Sequence, residues 1–265
     1  MIPRRHGGKR SRRRPWHELR ERRGRTVYLL PSLLTTGNLF CGFFAMLLTV
    51  DGRYTEATLA IFVAMIMDML DGRVARLMRA TSQFGVEYDS LADVVSFGVA
   101  PAFLLYSFAL HDLGRPAWFA AFLFVICGAL RLARFNVVTG NTDKRYFIGL
   151  PVPAAAAVAC SLVIFLQGED LTRWMRVGVA VATYLLSLLM VSTFRYWSFK
   201  EFDWARRPPV HTLLIVVLAG MIVATRHEIF LLLVFGGYAL SGPVRRLIVG
   251  HAPAAMPGEV PAKDH

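Results

Sequence analysis

Four aspartates stand where two apolar stretches of this 265-residue chain meet. Asp68 and Asp71 close one apolar run, and Asp89 and Asp93 open the next. Residues three or four positions apart on a helix share one face, so each pair presents its carboxylates together. An ionised Asp at the centre of a membrane helix costs about 3 kcal/mol, and such residues are usually kept for function.

Two neighbouring helices that carry these pairs can bring all four carboxylates to one point. Like charges at that distance repel unless a cation compensates them. Oxygen ligands suit hard divalent cations, so the pattern indicates a site for Mg²⁺ or Mn²⁺. The alternative is an interfacial belt of salt bridges with Arg73, Arg76 and Arg79, which a single Asp–Arg pair would favour more than four aspartates do.

The residues between the aspartate pairs suit a phosphorylated substrate. Gly72 and Gly85 leave space where a bulky group must approach the backbone, and Ala75 is small. Arg76 offers a fork of donors to phosphate oxygens. Carboxylates, small residues and an arginine together indicate a pyrophosphate-bearing substrate that binds through metal.

The composition places these residues in a membrane protein. Hydrophobic residues make up 55% of the chain and charged residues only 18%, less charge than a soluble domain of this size carries. Several apolar windows reach the ~20 residues that cross a bilayer. We predict an all-α integral membrane protein with about eight transmembrane helices, at about 27–50, 54–76, 90–112, 116–137, 149–167, 171–194, 210–225 and 227–247. Only Arg226 and its neighbours separate the last two, so a re-entrant pair is the alternative there.

The distribution of Lys and Arg predicts the orientation. Residues 1–25 hold eleven Lys and Arg residues against two Glu, and we place them in the cytoplasm. The cytoplasmic side then receives Arg73, Arg76, Arg79, Arg131, Arg134, Lys144, Arg145, Arg195, Lys200, Arg206, Arg207, Arg245 and Arg246. The opposite side receives only Arg53, Arg115, Arg173, Arg176 and Arg226. The four aspartates are therefore predicted to face the cytoplasm.

We divide the chain into a basic cytoplasmic arm (1–26), a transmembrane catalytic domain (27–247) and a flexible tail (248–265) rich in Pro and Ala. The arm matches anionic lipid head groups better than nucleic acid, because no folded recognition module accompanies it. The three cysteines lie far apart in apolar runs, which argues against a disulfide framework and against a zinc site.

The pattern Asp68-x-x-Asp71-Gly72-x-x-Ala75-Arg76, eight residues, Gly85-x-x-x-Asp89-x-x-x-Asp93 resembles the signature of the CDP-alcohol phosphatidyltransferase family. Every fixed position of that signature is matched. The resemblance implies an integral membrane enzyme that transfers a phosphatidyl group from a CDP-linked lipid to an alcohol and releases CMP. It also implies a six-helix catalytic core, usually in a homodimer.

The resemblance further implies a role for each matched residue. Asp68, Asp71 and Asp89 would hold two divalent metal ions, Mg²⁺ or Mn²⁺. Asp93 would also lie at the metals and act as general base on the acceptor hydroxyl. Contacts to the CDP-lipid would come from Gly72, Ala75, Arg76 and Gly85. We expect direct attack of the hydroxyl on the lipid-side phosphorus, because no serine–histidine pair stands beside the aspartates.

Four further segments, 29–46, 89–106, 130–138 and 147–156, resemble the membrane-integral branch of this family that makes phosphatidylserine. One departure is Ser32, where relatives often carry Asn. If that position touches the nucleotide, the shorter side chain must reach it or use water. Thr35 remains available, and we predict it as a fifth contact to the CDP-lipid.

Serine as acceptor would need a cation for its carboxylate. Arg131 and Arg134 are three residues apart at the end of the fourth predicted span, with Asn136 nearby, and we predict that these residues bind serine. An Arg fork suits a carboxylate. The alternative is that both arginines are ordinary positive-inside flanks or bind lipid head groups.

Two other functions stay open at this point. Glycerol 3-phosphate or an inositol phosphate as acceptor would need more basic residues around Asp93. A cation transporter would need ionisable residues at several depths and often an internal repeat, whereas this acidic cluster lies at one depth. The apolar helix faces do not distinguish an ester-linked from an ether-linked lipid donor.

Overall fold

The computed structural model describes the backbone of residues 16–78, 82–138, 146–197 and 209–249, and the side chains of residues 31–78, 82–137, 148–194, 196, 226 and 228–248. These ranges are almost entirely helical. The α-helices are α1 Trp16–Val50, α2 Tyr54–Leu77, α3 Gln83–Asp93, α4 Ala100–Leu105, α5 Arg115–Val138, α6 Val152–Leu166, α7 Arg173–Val191 and α8 Pro209–Val249.

Five helical segments are long and apolar enough to cross a membrane, which confirms the predicted membrane class for the described part of the chain. They are Pro31–Val50, Gln83–Leu113, Arg115–Val137, Arg173–Val191 and Glu228–Ile248. Helix α2 is 24 residues long but carries several charged side chains, the aspartate pair among them. The number of eight crossings stays a prediction.

The third span is one continuous helical rod with two π-helical turns in it. After α3 the chain forms π1 (Val94–Val99), α4, π2 (Tyr106–Leu110) and a short 3₁₀ turn, His111–Leu113. Pro101 lies at the start of α4. Proline has no amide hydrogen and disrupts the regular α-helical pattern, and π-turns of this kind are frequent near functional sites.

The same rod begins at Gln83, seven residues before the predicted start of the span. Its N-cap is Ser82, whose hydroxyl oxygen accepts a hydrogen bond from the amide of Gly85 at 3.0 Å. A serine cap satisfies one of the unpaired amides at a helix start. The extension carries Gly85 and Asp89 on the same helix as Asp93.

Helix α6 lies at the centre of the bundle. It has 15 residues, which give it a length of about 22 Å, shorter than a full bilayer core. Eleven of these residues are buried, among them a run of alanines that allows neighbouring helices to approach closely. It packs against α8, α2, α4 and α7. A short helix is tolerated here because protein surrounds it.

A small antiparallel ladder is the one departure from an all-helical fold within the described residues. Strand β1 (Tyr146–Ile148) pairs with β2 (Arg195–Trp197), with Phe147 opposite Tyr196. The ladder satisfies backbone groups of two connecting segments that no helix can pair. It joins the segment before α6 to the segment after α7.

Gly149, directly after β1, has φ +78, and a Cβ at this position would collide with the backbone of Met190. Only glycine tolerates both conditions without strain. Gly149 therefore allows the segment before α6 to pass close to the C-terminal end of α7. Pro151 then forms the N-cap of α6.

Two predicted boundaries can be compared with the helices. Helix α8 is interrupted at Arg226, whose φ −147 and ψ 55 are not helical, and this is where the last two spans were separated. Helix α1 begins at Trp16, so residues 16–26 of the predicted arm continue the helix of the first span. Residues 1–15 and most of the predicted tail, 250–265, lie outside the described ranges.

Candidate metal and nucleotide site

The four aspartates lie at one end of the bundle, where α2 ends and α3 begins, which we call the aspartate end. Helix α1 packs most extensively against α2 and also contacts α3. Three helices therefore contribute to this end. The local reason is helical spacing, because Asp68 and Asp71 share a face of α2 and Asp89 and Asp93 share a face of α3.

Three carboxylates converge closely enough to share a cation. One oxygen each of Asp68, Asp71 and Asp89 lie within 4.8 Å of one another. Asp71 is buried, and the other two are partly buried. The Oδ1 atom of Asp89 is buried without a hydrogen-bond partner among the described residues. An acidic oxygen set with an unpaired buried member fits a hard divalent cation.

Asp93 is not one of the three carboxylates that lie within 4.8 Å of one another, and it has a hydrogen-bond partner of its own. It is 9% exposed, and its Oδ1 accepts a hydrogen bond from Nδ2 of Asn38 at 3.2 Å. Asn38 comes from α1 and is fully buried. The structure thus places Asp93 one turn deeper along α3 than Asp89, held from a different helix.

Thr35 of α1 forms the corresponding hydrogen bond to Asp71. Its hydroxyl donates a hydrogen bond to Oδ2 of Asp71 at 2.8 Å and lies 3.1 Å from the carbonyl oxygen of Pro31. The threonine is 5% exposed. A hydrogen bond to an ionised carboxylate is stronger than one between neutral groups. Thr35 therefore fixes one of the three converging carboxylates.

A cleft of about 200 Å³ opens beside the aspartates, between α1, α2 and α3. It is lined by the predicted CDP-lipid contacts together with several residues from the helix ends: Pro31, Ser32, Thr35, Asp71, Gly72, Ala75, Arg76, Ser82, Gly85, Val86 and Asp89. All five residues predicted to contact the CDP-lipid are among them. Both polar and apolar side chains line its walls, as a nucleotide with a lipid tail would require.

Small residues keep this cleft open. A Cβ added to Gly85 would lie 3.2 Å from the hydroxyl of Ser82, and one added to Gly72 would lie 3.6 Å from the guanidinium of Arg76. Either methyl group would therefore occupy space beside the cleft wall. Arg76 is exposed and extends its guanidinium at the cleft.

The described residues do not support the alternative of an interfacial belt of salt bridges. Within the described ranges no ion pair joins any of the four aspartates to Arg73 or Arg76. Arg79 lies outside the described residues. Among the residues whose side chains are described, no salt bridge therefore compensates the charge of these carboxylates.

The three residues predicted to bind serine take different positions. Arg131 is partly buried, and its Nε has no hydrogen-bond partner among the described residues. Arg134 is exposed. Asn136 donates a hydrogen bond from Nδ2 to the hydroxyl of Ser90 at 3.0 Å, which ties α5 to α3 beside Asp89. None of the three lines the cleft described above.

Several residues of this end were not singled out from the sequence. Asn38 is the main one, and Thr36 contributes a hydroxyl 3.0 Å from the phenol oxygen of Tyr88. Ser96 is fully buried, and its hydroxyl donates a hydrogen bond to the backbone carbonyl of Asn38 at 2.9 Å. The available signal was the polar run TTGN inside an apolar span, because buried polar residues in membrane helices are seldom retained without a role.

Residues 28–185 match the family model for CDP-alcohol phosphatidyltransferases. A CDP-diacylglycerol–serine O-phosphatidyltransferase of Helicobacter pylori strain J99 is 39% identical over 226 residues, which cover 83% of this chain and 91% of that protein. The protein of the same name from Bacillus subtilis strain 168 is 37% identical, covering 65% of this chain and 92% of its own length. An archaetidylserine synthase of Methanothermobacter thermautotrophicus is 40% identical, covering 63% of this chain and 69% of its own.

Proposed function

The chain belongs to the CDP-alcohol phosphatidyltransferase family, and we propose that it transfers the phosphatidyl group of CDP-diacylglycerol to L-serine, producing phosphatidylserine and CMP. The observation that carries this proposal is the convergence of Asp68, Asp71 and Asp89 beside a cleft whose walls hold the rest of the family signature. The choice of serine rests on relatives that are named for it and cover most of the chain.

The donor lies with its nucleotide in the cleft between α1, α2 and α3. Gly72 and Gly85 leave room for it, and Arg76 binds phosphate oxygens through its planar fork. Thr35 holds Asp71 in place at the cleft wall. The acyl chains lie along apolar helix faces, which accept ester-linked and ether-linked tails alike.

Two divalent cations, Mg²⁺ or Mn²⁺, would be held by Asp68, Asp71, Asp89 and Asp93. When bound, they neutralise the pyrophosphate and stabilise the CMP leaving group. Asp68, Asp71 and Asp89 fit such cations, because their carboxylate oxygens converge and form no salt bridge among the described residues.

Asp93 acts as general base. It takes the proton of the serine hydroxyl as the serine oxygen forms its bond to the lipid-side phosphorus, and the bond from that phosphorus to CMP breaks. A carboxylate with a reference pKa of about 3.9 is a weak base toward an aliphatic hydroxyl. The proton therefore moves in concert with bond formation, which requires Asp93 to be accurately positioned.

Serine is oriented from the α5 side of the site. Arg131 is partly buried and has an unpartnered guanidinium nitrogen, which supports a role in binding the serine carboxylate. Asn136, attached to Ser90, and Arg134 complete the predicted acceptor side. Of these residues Arg131 has the strongest support, because an exposed arginine such as Arg134 serves equally well as a lipid-facing flank.

The reaction takes place at the cytoplasmic face of the cell membrane, with residues 1–26 as a basic arm beside anionic head groups and 248–265 as a flexible tail. This orientation rests on the asymmetry of Lys and Arg between the two sides. The catalytic domain spans 27–247 and works as a homodimer, as family membership implies.

The experiment is CMP release by the purified full chain in detergent, with CDP-diacylglycerol, Mn²⁺ or Mg²⁺, and a panel of acceptor alcohols. We expect release with L-serine that EDTA abolishes and that Asp93→Asn lowers by about 100-fold or more. Detergent leaves no sealed compartment, so CMP release under these conditions needs no transport across a membrane. This result would therefore argue against the cation transporter.

Release with glycerol 3-phosphate or an inositol phosphate, and none with serine, would overturn the proposed acceptor and the roles of Arg131, Arg134 and Asn136. Full turnover by Asp93→Asn with unchanged metal binding would overturn the assignment of the base. A CDP-linked ether lipid in a parallel assay separates the two donor types.

A further inference from the structure

Helix α1 presents a line of residues to the aspartate-bearing helices. Thr35 reaches Asp71, and three residues later Asn38 reaches Asp93. Four residues further, Gly42 lies so close to Ser96 that a Cβ would collide with its backbone and side chain. Residues spaced three and four apart on a helix share one face, so α1 contacts both carboxylate pairs with a single stripe.

Two groups of Asn38 form hydrogen bonds across to the third span, the side-chain amide to α3 and the backbone carbonyl to π1. Its side-chain Nδ2 donates to Oδ1 of Asp93, and its backbone carbonyl accepts a hydrogen bond from the hydroxyl of Ser96. An ionised carboxylate can only accept hydrogen bonds, so the amide nitrogen is the atom that faces the ionised Asp93. The close approach at Gly42 brings α1 within this reach.

The carbonyl Oδ1 of the same side chain is buried without a hydrogen-bond partner among the described residues. An asparagine kept only to satisfy packing would have both polar ends paired, since an unsatisfied buried acceptor destabilises the fold. The orientation of the Asn38 side chain is therefore explained by its hydrogen bond to Asp93, which leaves the amide oxygen of Asn38 unsatisfied.

We propose that Asn38 is a positioning residue, which holds the carboxylate of Asp93 in the orientation that takes the proton from the acceptor hydroxyl. With one carboxylate oxygen engaged by the amide, the side chain of Asp93 cannot rotate freely, and its second oxygen keeps one direction. This inference rests on the proposed function, because it concerns the base of that reaction.

The test compares Asn38→Leu with the wild-type full chain in detergent, measuring kcat and the KM values for the CDP-lipid and for serine. Leucine has nearly the shape of asparagine but no donor. We expect kcat to fall by about 10- to 100-fold. Both KM values should change by less than about threefold, because the substrates' own contacts remain.

Two readouts apart from turnover accompany the kinetics. Mn²⁺ binding measured by calorimetry should stay close to that of the wild type, because Asp68, Asp71 and Asp89 keep their positions. The melting temperature should fall by about 5 °C at most, because the buried Asp93 loses one hydrogen bond. The matched control is Thr49→Val, which changes another buried polar residue of α1 whose hydroxyl bonds only the carbonyl of Ala45. That control should keep the wild-type kcat.

Asn38→Ser covers the case in which the leucine variant does not fold. A serine in a helix can bond the backbone carbonyl four residues earlier, as Thr49 does, but it is too short to reach Asp93. The same fall in kcat is expected for it.

Wild-type kcat in Asn38→Ser or Asn38→Leu would overturn the proposal. So would a raised KM for serine with unchanged kcat, because Asn38 would then bind the acceptor directly. A failure of the proposed function looks different, since the wild-type chain itself would then release no CMP with serine. In that event the comparison is made with whichever acceptor the wild type does use.

Discussion

The two ends of the helical bundle arrange their charges in opposite ways. At the end away from the aspartates, opposite charges pair: Arg53 with Glu56 at 3.1 Å, and Arg176 with Asp112. At the aspartate end, three carboxylates lie within 4.8 Å of one another, and no ion pair to them exists among the described residues.

The difference teaches which end is built for stability and which for chemistry. Solvent-exposed salt bridges change the free energy of unfolding only slightly, since their small Coulomb gain is offset by lost side-chain entropy. Clustered carboxylates of one sign destabilise the protein on their own and become favourable only when a cation joins them. The aspartate end is therefore less stable without metal, in return for its ability to bind cations. Removing a charge there should lower activity and raise the stability of the metal-free protein, whereas removing a charge at the other end should lower stability and leave activity unchanged.

The largest effect is expected from Asp89→Asn. Removing one of three clustered carboxylates should lower CMP release by about 1000-fold, because metal binding and charge stabilisation are both lost. The melting temperature of the EDTA-treated protein should rise, because like-charge repulsion decreases. Asp112→Asn, at the other end, is the control and should keep full activity. A metal-free Asp89→Asn protein that melts below the wild type would contradict the contrast between the ends.

Thr35→Val should come next in size. It removes the hydrogen bond to Asp71 without changing the shape of the side chain, and kcat/KM should fall by about tenfold, the worth of a charge-assisted hydrogen bond. The matched variant is Thr58→Val on α2, because that hydroxyl bonds only the carbonyl of Tyr54. Equal kinetic effects from the two variants would show that Thr35 matters only as a buried threonine.

Gly85→Ala should act on donor binding. Its new methyl group would lie 3.2 Å from the hydroxyl of Ser82 at the cleft wall. We expect the KM for the CDP-lipid to rise by about fivefold with a smaller change in kcat, because ground-state and transition-state binding are affected alike. Gly178→Ala on α7 meets nothing within 4 Å and should leave both constants unchanged. An unchanged KM in Gly85→Ala would remove this glycine from the donor site.

The smallest effect is expected from Asp112→Ala. Asp112 and Arg176 form a half-exposed pair, with side chains 50% and 25% exposed. Loss of this ion pair in Asp112→Ala should lower the free energy of unfolding by less than about 1 kcal/mol and leave CMP release unaffected. Thermal melting at low and high salt measures this. A larger loss, or one that salt does not reduce, would mean that this end contributes more to stability than its exposure suggests.

Much of the fold class and of the acidic site was predictable because both depend on short-range spacing. Aspartates three and four apart had to share helix faces, and apolar length had to indicate membrane helices. The small ladder between β1 and β2 was not predictable, because its three-residue strands become favourable only when two distant connecting segments meet.

The finer assignments depended on which helix faces meet. Asn38 and Asp93 are 55 residues apart, so no local pattern connects them. Arg131 and Arg134 looked equivalent in sequence, but Arg131 is partly buried while Arg134 is exposed. The rotation of α5 against its neighbours decides this difference.

The amino-acid sequence by itself determined the helices, the membrane class, the family signature and the pairing of aspartates along each helix, since helical periodicity is a local property. Only the tertiary structure decided that three aspartates converge while the fourth, Asp93, is held from α1 by Asn38. Helix packing sets those distances, and packing is the sum of many contacts between residues far apart in the chain.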